Sequence, residues 1–211
     1  MSYRVAVMVS GQGTNLQALL DTVHRREGIE IVAVASSRSD APALERARQA
    51  RVQTGVFMAN EYATRGERDS LLGDWFESKG VNLIVLAGFM EILSNDFVRR
   101  FRGRMINVHP SLLPAFAGLG PVEQALEYGV QVTGVTVHFV DEGVDTGPII
   151  SQEAFPLHGY SADIAAVEKR IHEVEHRLLP EAVRMLARGR VKLDPAGGRR
   201  VFFEEEADGD D

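Results

Sequence analysis

Tyr3-Arg4-Val5-Ala6-Val7-Met8-Val9 runs into Ser10-Gly11-Gln12-Gly13-Thr14-Asn15 and then into the helical pattern TNLQALLDTVHRR of residues 14–26, and this strand, loop and helix decide the fold class. A strand apolar through its length is covered on both faces, the mark of a parallel sheet. The unit then recurs. Strand-like runs at 29–37 (IEIVAVASS), 53–58 (QTGVFM), 81–88 (VNLIVLAG) and 104–108 (RMINV) alternate with helical patterns at 42–50 (PALERARQA), 65–80 (RGERDSLLGDWFESKG) and 95–102 (NDFVRRFR). The alternation predicts an α/β fold with a doubly wound, mostly parallel, Rossmann-like sheet whose ligands lie beyond the C-terminal strand ends.

After a short helical pattern at 121–129 (PVEQALEYG) the rhythm changes. Two longer β-like runs, 133–140 (TGVTVHFV) and 147–155 (GPIISQEAF), flank an acidic turn, which predicts an antiparallel C-terminal strand pair. A long amphipathic C-terminal helix follows from about Ser161 to Ala187, with Ser161 as N-cap and Gly189 as stop. The expected organisation is a single domain over residues 1–190, in two halves, 1–110 and 111–190, and a 191–211 extension ending in a solvated acidic tail, FEEEADGDD.

The 211 residues are 45% hydrophobic, enough for a real core, and contain no cysteine. Disulfides, zinc ribbons and thiol nucleophiles are thereby excluded, and a reducing, cytoplasmic setting is expected. The first strand is too short for a membrane span and lacks a signal-peptide layout. A net charge of −7 argues against a nucleic-acid partner, although much of it sits in the tail.

Several positions could carry chemistry. Asn107 and His109 alternate onto one face at the end of the fifth strand, which Pro110 and Pro114 stop. An amide beside an imidazole can hold an oxyanion and move a proton, or can pin the following loop as a satisfied buried pair. The 10–15 loop sets small residues and a helix N-terminus together, serving as an anion cradle or a tight turn. It lacks the Gly-Lys-Ser/Thr ending of a nucleotide triphosphate loop, and Leu16 stands where a dinucleotide fingerprint has its third glycine. Arg38 after the second strand leaves an NADP-dependent oxidoreductase conceivable as a different class.

His138 projects with Thr136 opposite Val135, Val137 and Phe139, as a neighbour of the site or an interfacial residue. Asp141, Glu142, Gly143, Val144 and Asp145 form a solvated turn on spacing alone, without calcium-loop spacing. His172, Glu175, His176 and Leu179 share a helix face, but the His-Glu-x-x-His arrangement of zinc enzymes is missing, so no metal is expected. Trp75 and Phe76 are expected as core or interface anchors.

Taken together, SGQGTNLQALL, LAGFMEILS, INVHPSLLPAF, TGVTVHFVDEGVDTGPII and IHEVEHRLLP closely resemble the phosphoribosylglycinamide formyltransferase family from about residue 3 to residue 190. The resemblance implies transfer of the formyl group of 10-formyltetrahydrofolate, a co-substrate, to the glycine amine of 5'-phosphoribosylglycinamide in purine biosynthesis. It assigns catalysis to Asn107, His109 and Asp145 with His138 in support, the acceptor to Gly13, Thr14, Asn15, His172 and Glu175, and the folate to Arg65, Met90, Glu91, Ile92 and Leu93, to Asn107, and to Asp141, Glu142, Gly143, Val144 and Asp145. The first half then cradles phosphate and the second binds folate. No metal and no nucleotide triphosphate is implied, partners are small-molecule substrates, and a homodimer is possible. Methionyl-tRNA formyltransferase and formyltetrahydrofolate hydrolase share the Asn-x-His and Asp core and are the nearest alternatives, but the first normally adds a C-terminal domain for which 211 residues leave no room, and the second an N-terminal domain that is not expected where the first strand begins at residue 3. After SLLP the family has an aromatic-Pro-Gly-Leu-His run, whereas this chain reads Phe116-Ala117-Gly118-Leu119-Gly120.

Overall fold

In the computed structural model, which describes residues 2–158, 163–194 and 198–204, seven strands build one sheet. They are β1 (Tyr3–Val9), β2 (Ile29–Ser36), β3 (Gln53–Val56), β4 (Leu83–Leu86), β5 (Met105–His109), β6 (Val132–Phe139) and β7 (Ile149–Pro156), in the order β3-β2-β1-β4-β5-β6-β7. Neighbours among the first five pair parallel, while β5–β6 and β6–β7 are antiparallel. The helices are α1 (Thr14–Thr22), α2 (Pro42–Gln49), α3 (Arg65–Ser78), α4 (Asn95–Arg100), α5 (Pro121–Tyr128) and α6 (Ile164–Ala187).

Alternation along β1 divides the core. Val5, Val7 and Val9 join Leu16 and Leu19 of α1 and Val174 and Leu179 of α6 on one face, and Ala6 and Met8 join Leu72 and Phe76 of α3 and Phe97 of α4 on the other. Burial on both faces is why these strands lack a polar stripe. Trp75 packs on Phe57 and Phe76 at ring distances of 5.6 and 5.5 Å, as a core anchor. The chain leaves β1 toward β2 and β3, then returns to β4 on β1's other side, so the direction of winding reverses between β1 and β4. In open α/β sheets that reversal opens a crevice beyond the C-terminal strand ends.

Three boundaries depart from the sequence reading. The pattern of residues 14–26 ends as helix at Thr22, because Arg25 and Glu27 take left-handed φ of 57° and 51° and Arg25 N bonds to Ile29 O at 2.8 Å. The tight turn into β2 overrides the helical periodicity, and His24 Nδ1 accepts from Ile31 N at 3.0 Å within it. α6 is capped by Asp163, whose carboxylate accepts from Ala166 N at 3.2 Å, while Ser161 lies outside the described residues. Gly189, at φ 70°, does end the helix region. The extension contains a hairpin, β8 (Val191–Leu193) with β9 (Val201–Phe203), so Phe203 of the expected tail is a strand residue. The acidic residues 205–211 lie outside the described residues.

Candidate active site

A cleft of about 1270 Å³ opens at the winding reversal, and every sequence-predicted site residue lines it. The loop after β1 brings Gly13, Thr14 and Asn15, the start of α3 brings Arg65, and the segment after β4 brings Met90, Glu91, Ile92 and Leu93. The end of β5 brings Asn107 and His109, β6 brings His138, the following turn brings Asp141, Glu142, Gly143, Val144 and Asp145, and α6 brings His172 and Glu175.

At its floor the antiparallel pairing sets Asn107 directly opposite His138. Both reach Asp145: Asn107 Nδ2 donates to Oδ1 at 3.1 Å, and His138 Nε2 stands 3.5 Å from the same oxygen. Asn107 Nδ2 is also 3.3 Å from His138 Nε2. Asp145 Oδ2 accepts the Gly118 amide at 2.9 Å and lies 3.3 Å from His109 Nδ1, while His109 Nε2 stands 2.8 Å from the Phe116 carbonyl. Both ring nitrogens of His109 thus face acceptors, and the doubly protonated ring is the form that can donate to both. Burial works to raise the Asp145 carboxyl, but the His138 hydrogen bond, the Gly118 amide and the charges of the two histidines outweigh it, and the group is held below its ordinary range. It is an anion at a partly buried floor, at left-handed φ 53°, a conformation Asp tolerates.

The loop after Pro114, where Ala117 and Gly120 depart from the resembled pattern, is tied to this floor through Phe116 O and Gly118 N. Gly120 takes left-handed φ 63° at the start of α5 and accepts from Gln124 N at 3.0 Å. These backbone contacts escaped the sequence reading, because a carbonyl and an amide leave no side-chain signal. Arg199, in the hairpin loop of the extension, donates to Thr146 O at 2.7 Å and so touches the Asp145 turn from outside; nothing in the sequence points to it.

On one wall Gly13 has φ 73°, and a Cβ there would stand 2.5 Å from that of Ala43. The loop therefore packs on α2 closely enough to admit only glycine, and opens the N-terminus of α1 toward the cleft. Asn15 Nδ2 donates to Glu175 Oε2 at 2.9 Å, and Glu175, 5% exposed, also meets His172 Nδ1 at 2.9 Å. That contact raises His172 above its ordinary value against an opposing effect of burial, and burial followed by the His172 charge lowers His176. Asn15 Oδ1 is buried without a partner, so this wall holds an unused acceptor.

The opposite wall, residues 88–94, presents backbone and the exposed side chains of Met90 and Ile92, with Met90 N bonded to Ser10 Oγ at 2.9 Å. Arg38, the group an NADP phosphate requires, is instead tied to Asp40 through Nε at 3.0 Å and Nη2 at 2.9 Å.

Residues 3–183 match the family model described as Formyl transferase. Phosphoribosylglycinamide formyltransferase of Haemophilus influenzae is 41% identical over 191 residues, 90% of this chain and 90% of that one. The trifunctional purine biosynthetic protein adenosine-3 of Homo sapiens is 43% identical over 204 residues, 96% of this chain but 20% of that longer protein. Among solved structures, glycinamide ribonucleotide transformylase 1 from Symbiobacterium toebii superposes with a TM-score of 0.91 at 43% identity, covering 97% of this chain and 95% of that one. With its seven-stranded sheet, its cleft and these relatives in agreement, the chain belongs to the formyl transferase family, among the phosphoribosylglycinamide formyltransferases.

Proposed function

We propose that the chain transfers the formyl group of 10-formyltetrahydrofolate to the glycine amine of 5'-phosphoribosylglycinamide, giving the N-formyl product and tetrahydrofolate, as a cytoplasmic step of purine biosynthesis. The observation that carries the reading is the floor: the Asn107 amide and the His109 imidazole stand 3.1 and 3.3 Å from the two oxygens of the Asp145 carboxylate, which is distant from both in sequence, between two differently built walls.

The acceptor amine attacks the formyl carbon. A carbon–nitrogen bond forms, the formyl oxygen gains charge and the amine becomes acidic. Asn107 and protonated His109 donate to that oxygen, which takes the place of part of their contacts with Asp145. Of the two partners of His109, Asp145 at 3.3 Å is more loosely held than Phe116 O at 2.8 Å, and is the one to give way. Asp145, already an anion, accepts the amine proton directly or through water. Collapse of the intermediate breaks the bond to the folate nitrogen, which takes its proton from His109. Donors already gathered at the point where charge develops have only to exchange one acceptor for another, and such stabilisation is the usual source of the largest catalytic effect. Every charge change has a protein partner, so the scheme uses no metal, nucleotide triphosphate or covalent intermediate.

The Gly13-Thr14-Asn15 wall takes the acceptor's phosphate at the α1 N-terminus, and Glu175 with His172 takes the part of the acceptor nearer the amine. Met90, Ile92 and Leu93 take the folate ring, Arg65 its acidic tail and residues 141–145 the ring's polar edge. One assay tests all of this: purified protein, synthetic acceptor and 10-formyltetrahydrofolate, followed by the absorbance of released tetrahydrofolate. Turnover that requires both substrates is expected, and no tetrahydrofolate release with both present would reject the function.

A further inference from the structure

The wall at residues 88–94 carries little chemistry of its own, and what holds it lies behind it. Arg68 of α3 is 2% exposed, a rare condition for arginine unless its charge is paired. Its Nε and Nη2 both stand 2.8 Å from Asp69 Oδ1, its Nη1 lies 3.2 Å from Glu91 Oε2, and its Nη2 also donates to the Ile92 carbonyl at 3.3 Å. Asp69, 1% exposed, turns its other oxygen to Ser94 N at 2.6 Å. Ser94 in turn caps α4 by accepting from Phe97 N.

One guanidinium and one carboxylate therefore fix three points of the wall: the Glu91 carboxylate, the Ile92 carbonyl and the Ser94 amide. With Met90 N held by Ser10, the backbone of this segment has few ways to move, although Met90 and Ile92 keep their side chains in the open cleft. The fork geometry matters. A lysine ammonium is a single point and cannot span Asp69, Glu91 and the Ile92 carbonyl together. Glu91 also lines the cleft, and without a cation behind it would set an uncompensated charge beside an acidic ligand tail.

We propose that Arg68 and Asp69 are positioning residues for the formyl donor: they hold the backbone of residues 90–94 in the shape that receives the donor's ring, and Arg68 balances Glu91 next to the donor's acidic tail. The inference rests on the donor side of the proposed function. It makes the affinity for one of two substrates depend on groups that touch neither.

The test is steady-state kinetics of Arg68→Lys and Glu91→Ala against the wild-type enzyme, varying each substrate in turn. Arg68→Lys raises the KM for 10-formyltetrahydrofolate about tenfold, and leaves the acceptor KM and the kcat at saturating donor within about twofold. Glu91→Ala sits on the cleft rim and keeps the buried Arg68–Asp69 pair, so it stays folded and raises donor KM about threefold. In the double variant the two effects fall short of adding, because they share one contact. Equal rises in both KM values, a fall in kcat alone, or additive effects overturn the proposal. If Arg68→Lys does not fold, Asp69→Asn, which gives up the ion pair but keeps an oxygen for Ser94 N, decides it, and an unmoved donor KM there overturns it. A wild-type protein with no turnover rejects the function and not the clamp. Amide exchange at residues 90–94 then scores the clamp, with faster exchange expected in Arg68→Lys and unchanged exchange overturning it.

Discussion

At the floor of the cleft Asn107, His109, His138 and Asp145 hold one another through their side chains, whereas the wall at residues 88–94 offers backbone, two exposed apolar side chains and the Glu91 carboxylate, and is held from behind by the buried Arg68–Asp69 pair. The floor's positioning groups and its reactive groups are largely the same residues. In the wall the two tasks fall to different residues. Damage to the floor should therefore appear as lost turnover, and damage to the wall as lost affinity for one substrate.

The largest expected effect tests the floor. Asp145→Asn keeps the shape but gives up the anion, and kcat should fall on the order of 100- to 1,000-fold with little change in either KM. Full turnover in that variant would end the proton path proposed for Asp145. Next comes Gly13→Ala, which strikes the α1 wall twice, through its positive φ and through contact with Ala43. A loss of about 1–3 kcal/mol in urea unfolding is expected, together with a rise in acceptor KM and no change in donor KM. A rise in both would blur the division of the cleft. Ile92→Ala removes only an exposed apolar surface; donor KM should rise a few-fold while stability stays within about 0.5 kcal/mol.

The smallest effect concerns pH. His172 is raised in the folded protein, so its contribution to stability is complete below its unfolded value of about 6.5 and is lost as pH rises through the higher folded value. The melting temperature of the wild type should therefore fall from pH 6 to 8 more steeply than that of His172→Gln, by on the order of one degree for so exposed a group. Asp145 behaves oppositely. Its contribution is present above about pH 4 and disappears only as pH falls through its lowered folded value, so it adds no slope in the same window. Parallel melting curves for wild type and His172→Gln would mean that the His172–Glu175 contact is not made in solution.

The floor was legible in the sequence because its chemistry resides in side chains whose types are informative: Asn107 and His109 alternate out of an apolar strand, and Asp145 follows in an acidic turn. Resemblance supplied their roles, since residue type alone left a structural reading open for each. The sheet was legible for a related reason, as strands buried on both faces must be apolar throughout. Phe116 O and Gly118 N were not legible, because any residue carries those groups. Arg68 and Asp69 were hidden differently: in the sequence they are two charges near the start of a helix, where charges usually face solvent. Residues 23–26 misled because the left-handed turn at Arg25 and Glu27 is set by the path into β2 and not by local preference.

The register of β5 on β6 gives this architecture one further property. Asn107 meets His138 across the ladder and Val108 meets Val137. Side chains alternate faces with a period of two, so sliding β6 by a single residue would bring Val137 or Phe139 to the cleft and send the imidazole into the apolar layer against α6. No intermediate displacement keeps the ladder's hydrogen bonds. Half of the floor is therefore switched on or off as a unit when the last strands pair, and a chain that has folded its sheet in register has assembled that part of its chemistry in the same event.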